Sequence, residues 1–171
     1  MFALCFVGQY RIFTGELDDA GRLLRESEEL CAREAIPGIL PLTYTAVLQA
    51  ARGESAAPEA CQLATDIARL AGLLVNLPFI EAMHADALSA RGDHAEAEAQ
   101  IAASLETMNA TGERWAEPEI RRLRGQILER RGAPATEVEE CYRLAVESAR
   151  RMGARGFEAW ANQSLMRWLA R

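Results

Sequence analysis

The chain contains no lysine, and all 19 of its basic residues are arginine. That absence excludes chemistry. A nucleotide-binding P-loop needs its lysine to reach the phosphates. A protein-kinase core and a Schiff-base enzyme need one too. Histidine is almost as scarce: His84 and His94 are the only two, too few for an imidazole-rich zinc site. The cysteines, Cys5, Cys31, Cys61 and Cys141, form no C-x-x-C pair. Each falls within an apolar helical pattern, so we expect small core residues in a reducing compartment. No apolar run reaches the ~18 residues a membrane span needs. The opening segment 1–8 is apolar but lacks a basic flank, and Arg11 cuts it short. It reads as a first helix and not as a signal peptide. Neither G-x-S-x-G nor H-E-x-x-H occurs, and no Cys–His spacing suggests a nucleophile pair.

The 171 residues are enough to bury a sizeable core. Half are apolar and about a quarter charged. Abundant alanine with arginine as the sole base points to a GC-rich bacterial genome. The net charge of −6 is uneven: residues 1–112 carry 16 acids and 7 arginines, residues 113–171 carry 9 acids and 12 arginines. A nucleic-acid binder would show a stronger basic excess. The basic end reads as a solvated face, with a docking site for an acidic partner as the sharper alternative.

Against these absences stands a period. Gly15, Gly53, Gly92 and Gly132 recur at steps of 38, 39 and 40 residues. Seven residues before each stands a small residue: Gly8, Ala46, Ala85 and Gly125. Such periods mean a stack of helix pairs. The pattern predicts helices at about 2–14, 17–33, 39–52, 57–71, 78–91, 94–110, 116–131, 136–152 and 156–169. Pro58, Pro78 and Pro118 fall in first turns, where a missing N–H costs nothing. The second helices share a stripe at spacings of four and three: Ala20, Leu24, Ser27; Ala60, Ala64, Ile67; Ala97, Ile101, Ser104; Val138, Tyr142, Ala145. Those spacings share one helical face, where small residues let paired helices approach. We therefore expect an all-α single domain over 1–171. Its repeats span about 1–36, 37–73, 74–112 and 113–153, and a capping helix follows at 156–169.

This pattern resembles the tetratricopeptide repeat over the whole chain. The first repeat carries it through Gly8, Gly15, Ala20, Leu24 and Ser27. The period is longer than the family's ~34 residues. Gly72, Gly112 and Gly153 replace the family's proline after the second helix, and Leu4, Leu42, Glu81 and Arg121 replace its early aromatic. The resemblance implies a right-handed superhelix of four helix pairs. A narrower resemblance covers 111–171, through Thr111-Gly112-Glu113-Arg114-Trp115, Glu119–Gly125, Glu140–Ala145 and Ala149–Arg155. This stretch is similar to the C-terminal helical repeats of large bacterial signalling proteins. In those, a cyclase or winged-helix domain and an ATPase domain come first.

Few constellations suggest chemistry. Glu81, His84 and Asp86 share one helix. A di-metal bundle needs a second Glu-x-x-His pair, which no other helix offers, so we expect no metal and no cofactor. The arginines of helix 7 and the next turn (Arg121, Arg122, Arg124, Arg130, Arg131, Arg150, Arg151, Arg155) are the best site candidates, because guanidinium grips carboxylate and phosphate in a fork. The competing reading is a solvated face of Glu–Arg pairs. The tetratricopeptide resemblance implies a concave groove lined by first helices. Its candidates here are Gln9, Phe13, Phe79, Asp86, Arg122, Gln126, Glu129 and Arg130. The groove would be apolar at one end and charged at the other, suiting a peptide with an apolar and an acidic end.

Helix 1 is apolar nearly all round, through Phe2, Leu4, Phe6, Val7, Tyr10, Ile12 and Phe13. A terminal helix of a stack should be polar outside, so a preceding repeat, another domain or a second copy should cover it. Helix 9, with Phe157, Trp160, Leu165, Trp168 and Leu169, reads as a cap with Arg167 and Arg171 outward. We expect a non-catalytic, cytoplasmic protein- or peptide-interaction module, the regulatory repeat region of a larger signalling protein. A free-standing adaptor dimerising through helix 1 is the alternative, and a small-molecule or enzymatic site inside the superhelix is a third reading. No contact with nucleic acid or membrane is expected.

Overall fold

A computed structural model describes all 171 residues. The chain is all-helical: α1 (Phe2–Thr14), α2 (Leu17–Arg33), α3 (Ile39–Arg52), α4 (Ala57–Leu70), α5 (Leu77–Arg91), α6 (His94–Thr111), α7 (Glu117–Arg131), α8 (Ala135–Met152) and α9 (Arg155–Leu169). Every boundary falls within a residue of the sequence-based expectation. No helix is long and apolar enough to cross a membrane.

Glycine sets the helix ends. Gly15, Gly53, Gly92 and Gly132 follow the first helix of each pair with φ of +81°, +68°, +100° and +76°. A left-handed residue there lets the next N–H turn back onto the helix's last free carbonyls. All four ends close the same way: Glu16 N–H donates to Arg11 O at 2.8 Å, and Glu54, Asp93 and Ala133 N–H donate to Gln49, Leu88 and Leu128 O at 3.0 Å. The repeat read in the sequence is thus a repeat of one hydrogen-bonded turn.

The chain divides into two compact units, Met1–Leu74 and Val75–Arg171. In the first, α1 packs on α2, α3 on α4, and α3 also meets α1 and α2. In the second, α5 pairs with α6 and α7 with α8, α7 packs on α5 and α6, and α9 lies on α8 and α7.

Pair packing is a matter of matched sizes. A Cβ on Gly8 would meet Leu24 at 3.1 Å, and one on Gly125 would meet the Tyr142 ring at 2.8 Å. The Tyr142 ring on α8 therefore requires glycine opposite it, whereas Leu24 on α2 would have to give by only a few tenths of an ångström. In the second pair the facing residue is Ala46, and Cys61 sits against its carbonyl with Sγ at 3.6 Å. This corrects the stripe expected on α4. Ala57, Cys61, Ala64 and Ala68 are fully buried, while Ala60 and Ile67 are only half-buried. The buried stripe begins one turn earlier than the sequence suggested. Equivalent serines also act alike: Ser27 Oγ lies 3.5 Å from Met1 O, and Ser104 Oγ donates to Pro78 O at 2.6 Å. Each ties a second helix to the start of its partner.

All four cysteines are buried and none is in a disulfide. Burial pushes the Cys5 and Cys141 thiols up, which keeps them protonated and unreactive. The capping helix is seated by Leu165 and Trp168 against Leu128, Val138 and Tyr142. Leu169 is exposed, contrary to expectation. Arg171 is not wholly outward either: it turns back to Glu129 at 2.5 Å and lies over the Trp168 ring.

Candidate functional site

The second unit gathers most of the candidate groove into one polar network. Asp86 on α5 accepts from Arg130 Nη1 on α7 at 2.6 Å. Two turns back along α7, Arg122 grips Glu119 with both arms, Nε at 2.8 Å and Nη2 at 2.7 Å, while Nη1 donates to Gln126 at 2.9 Å. Glu129 accepts from the Tyr142 hydroxyl at 2.6 Å and from Arg171. The helical spacing of Glu119, Arg122, Gln126, Glu129 and Arg130 puts them on one side of α7.

Electrostatics locks this network. Burial works against the Arg122 charge, but the Glu119 carboxylate more than offsets it and holds the guanidinium above its ordinary value. Burial and the Glu129 hydrogen bond push the Tyr142 phenol well up, so it stays a donor. Three carboxylates and three guanidiniums alternate, leaving the network neutral.

A second cluster surrounds Glu117 at the start of α7. It accepts from Arg114 at 3.0 Å and from Arg121 at 2.9 Å, with Arg151 at 3.4 Å. Burial would raise the Glu117 pKa, but these guanidiniums win and hold it below its ordinary value. Arg131 pairs with Glu98 at 2.6 Å and Arg150 with Glu158 at 2.8 Å. Of the arginines singled out in the sequence, only Arg124 and Arg155 lack an acidic partner. The helix 7 cluster is therefore largely neutralised by its own acids.

The remaining candidates part company. Phe79 is 1% exposed and belongs to the core instead of an open face. Its ring packs tilted against Trp115 at 5.3 Å, Trp115 tilted against Phe157 at 6.3 Å, and Phe157 edge-on against Trp160 at 5.6 Å. This aromatic chain ties α5, the segment before α7, and α9 together, and no sequence motif marked it. Gln9 and Phe13 lie in the first unit. Gln9 is buried with its Nε2 unpaired, and Phe13 is half-buried. Glu81 and His84 are buried within α5, while Asp86 faces Arg130. No group of three metal-ligating side chains converges.

The first unit holds a feature the sequence did not disclose, a cleft between α2 and α3 lined by Gly21, Arg25, Glu28, Thr45, Gln49 and Arg52. A glycine inside the polar-faced α2 was its only local sign. The first unit also leaves Phe2, Phe6, Val7 and Tyr10 of α1 exposed.

Compared with known proteins, the chain matches no family model, no curated protein and no solved structure.

Proposed function

We propose that this chain is a non-catalytic interaction module, the regulatory repeat region of a larger bacterial signalling protein, acting in the cytoplasm. The observation that carries the reading is the open face of α1. Phe6 and Tyr10 are 49% and 61% exposed. The residues at the same places in α3, Tyr44 and Leu48, are 0% and 3% exposed, and those in α7, Leu123 and Ile127, are 2% and 0%. Neighbouring helices cover them. Phe6 meets Tyr44 edge-on at 6.2 Å, and Leu48 faces α2 across Gly21. The occupant best suited to the α1 face is thus an amphipathic helix of a further pair, seated as α2 is seated on α3. The neutral network of Asp86, Arg122, Glu129 and Arg130 would then serve as a polar surface for a protein or peptide. The signalling context rests on the resemblance of 111–171 to repeats that follow cyclase- or winged-helix-linked ATPase domains.

Hydrogen exchange tests this reading. Alone and dilute, the chain should exchange its α1 amides much faster than its α3 amides. Joined to the rest of the larger protein, α1 should slow towards α3. Fast α1 amides in the longer protein would count against the reading. A slowing that comes with a discrete dimer of this chain alone would favour the dimeric adaptor instead.

A further inference from the structure

The cleft between α2 and α3 has a volume of ≈ 190 Å³. It lies wholly in the first unit. Gly21 forms its floor. The point where a Cβ of residue 21 would sit is 3.1 Å from Arg52 Nη2 and 3.4 Å from Arg25 Nη1. Two guanidinium groups are thus held over the same bare stretch of helix, close to one another. Like charges so placed repel unless an anion lies between them. Arg52 is pinned there by its bond to Leu17 O at 3.0 Å, with Asp18 at 3.4 Å. Arg25 has no acidic partner at all.

The other walls carry the opposite sign. Glu28 accepts from Thr45 Oγ1 at 2.9 Å, which leaves its second oxygen open. Glu54 stands 3.8 Å from Arg52 Nη1. Gln49 also lines the cleft, and its Oε1 is shielded from water yet accepts no hydrogen bond. A shielded polar atom without a partner is costly, and a ligand donor would relieve it. Turning the amide over would present the two N–H donors instead.

Two guanidiniums, two carboxylates and an unmatched amide in so small a space describe a receptor for a small zwitterion. We propose that the α2/α3 cleft binds a free α-amino acid. Its carboxylate is held between Arg25 and Arg52, and its ammonium faces Glu28, Glu54 and the Gln49 amide. A phosphate dianion would meet two carboxylates, and a simple monocarboxylate would leave them unmatched. The cleft is smaller than the several hundred Å³ of drug-sized pockets, which suits a ligand of a few heavy atoms. The reading is independent of the interaction role of α1 and can fail without affecting it.

The test is an NMR titration of the isotope-labelled full chain with L-alanine, beside acetate, N-acetyl-L-alanine and inorganic phosphate. L-Alanine should give saturable shifts at the Gly21 and Thr45 amides and at the Arg25 and Arg52 side-chain N–H groups. Arg25→Ala and Gly21→Ala should each weaken binding by at least about tenfold. Both should stay folded, since Arg25 is exposed and alanine is the better helix former at position 21. Acetate binding as tightly as alanine would overturn the zwitterion. N-acetyl-L-alanine binding as tightly or better would overturn the free amino acid in favour of a peptide C-terminus. Phosphate saturating the same signals in preference to alanine, or shifts with alanine that never saturate or survive both substitutions, would overturn the site.

Discussion

Gly125 shows how much one missing methyl decides. A Cβ there would sit 2.8 Å from the Tyr142 ring, and that ring is fixed by its hydroxyl bond to Glu129. Alanine normally gains up to ~1 kcal/mol over glycine inside a helix. Overpacking against a held ring costs about 1–3 kcal/mol. We predict that Gly125→Ala lowers stability by about 1–2 kcal/mol in thermal melts followed by circular dichroism. Gly8→Ala should be closer to neutral, because Leu24 Cδ2 at 3.1 Å and Cγ at 3.2 Å need give by only a few tenths of an ångström. Ala35 offers the opposite case. It ends α2 at φ +52°, with Ile36 N–H closing onto Cys31 O at 2.9 Å. Gly72, Gly112 and Gly153 stand at the corresponding turns of the other second helices. Ala35→Gly removes a left-handed cost of roughly 1–2 kcal/mol, so it should raise the melting temperature by a few degrees. Glu117 makes the fold sensitive to acid. Its folded pKa lies below the ordinary 4.5, so its contribution is fully present above that value. It is lost as pH falls through the folded pKa. Glu117→Gln should destabilise the chain at pH 7 and flatten this part of the acid transition. An unchanged slope of stability against pH below 4.5 would contradict it.

At the scale of the element, helix existence and ends were legible because the chain punctuates itself. Left-handed glycines close the helices, and Pro58, Pro78 and Pro118 open them. Which face each helix buries was legible only where residue sizes differ. On α2, Leu24 and Ser27 stand out; on α4, alanine recurs on several faces, and two stripes fit equally well until the Ala46 carbonyl selects Cys61. The candidate site shows the same division. Asp86, Arg122, Gln126, Glu129 and Arg130 converge because they share helices or repeat positions. Phe79 does not join them, because Trp115 lies far along the chain and nothing local announced their contact. The α2/α3 cleft stayed hidden for that reason too, since Gly21 and Arg52 meet only in three dimensions. The capping helix gives a further prediction. Deleting residues 155–171 would uncover Leu128, Tyr142 and Val146, which Leu165 and Trp168 help to cover. It should speed hydrogen exchange throughout α8. Unchanged protection of α8 would contradict the capping role of α9.

For the molecule as a whole, the distribution of apolar surface matters more than the distribution of charge. The arginines of the second unit are mostly spoken for by acids within it, where 15 acids stand against 13 arginines. The first unit keeps a contiguous apolar stripe on α1 open to water. A patch of that kind marks a contact surface. Light scattering across a range of concentrations, on the chain and on a Phe6→Glu, Tyr10→Glu double variant, tests this directly. Both residues are about half exposed or more, so the substitutions should leave the helix content and melting temperature nearly unchanged. The account predicts open-ended growth in mass with concentration for the chain alone, as uncovered α1 faces meet without closing, and no growth for the double variant, whereas a discrete dimer that the variant splits would favour the dimeric adaptor. A chain that is monomeric at every concentration, with the variant indistinguishable from it, would contradict the claim that α1 is a contact surface.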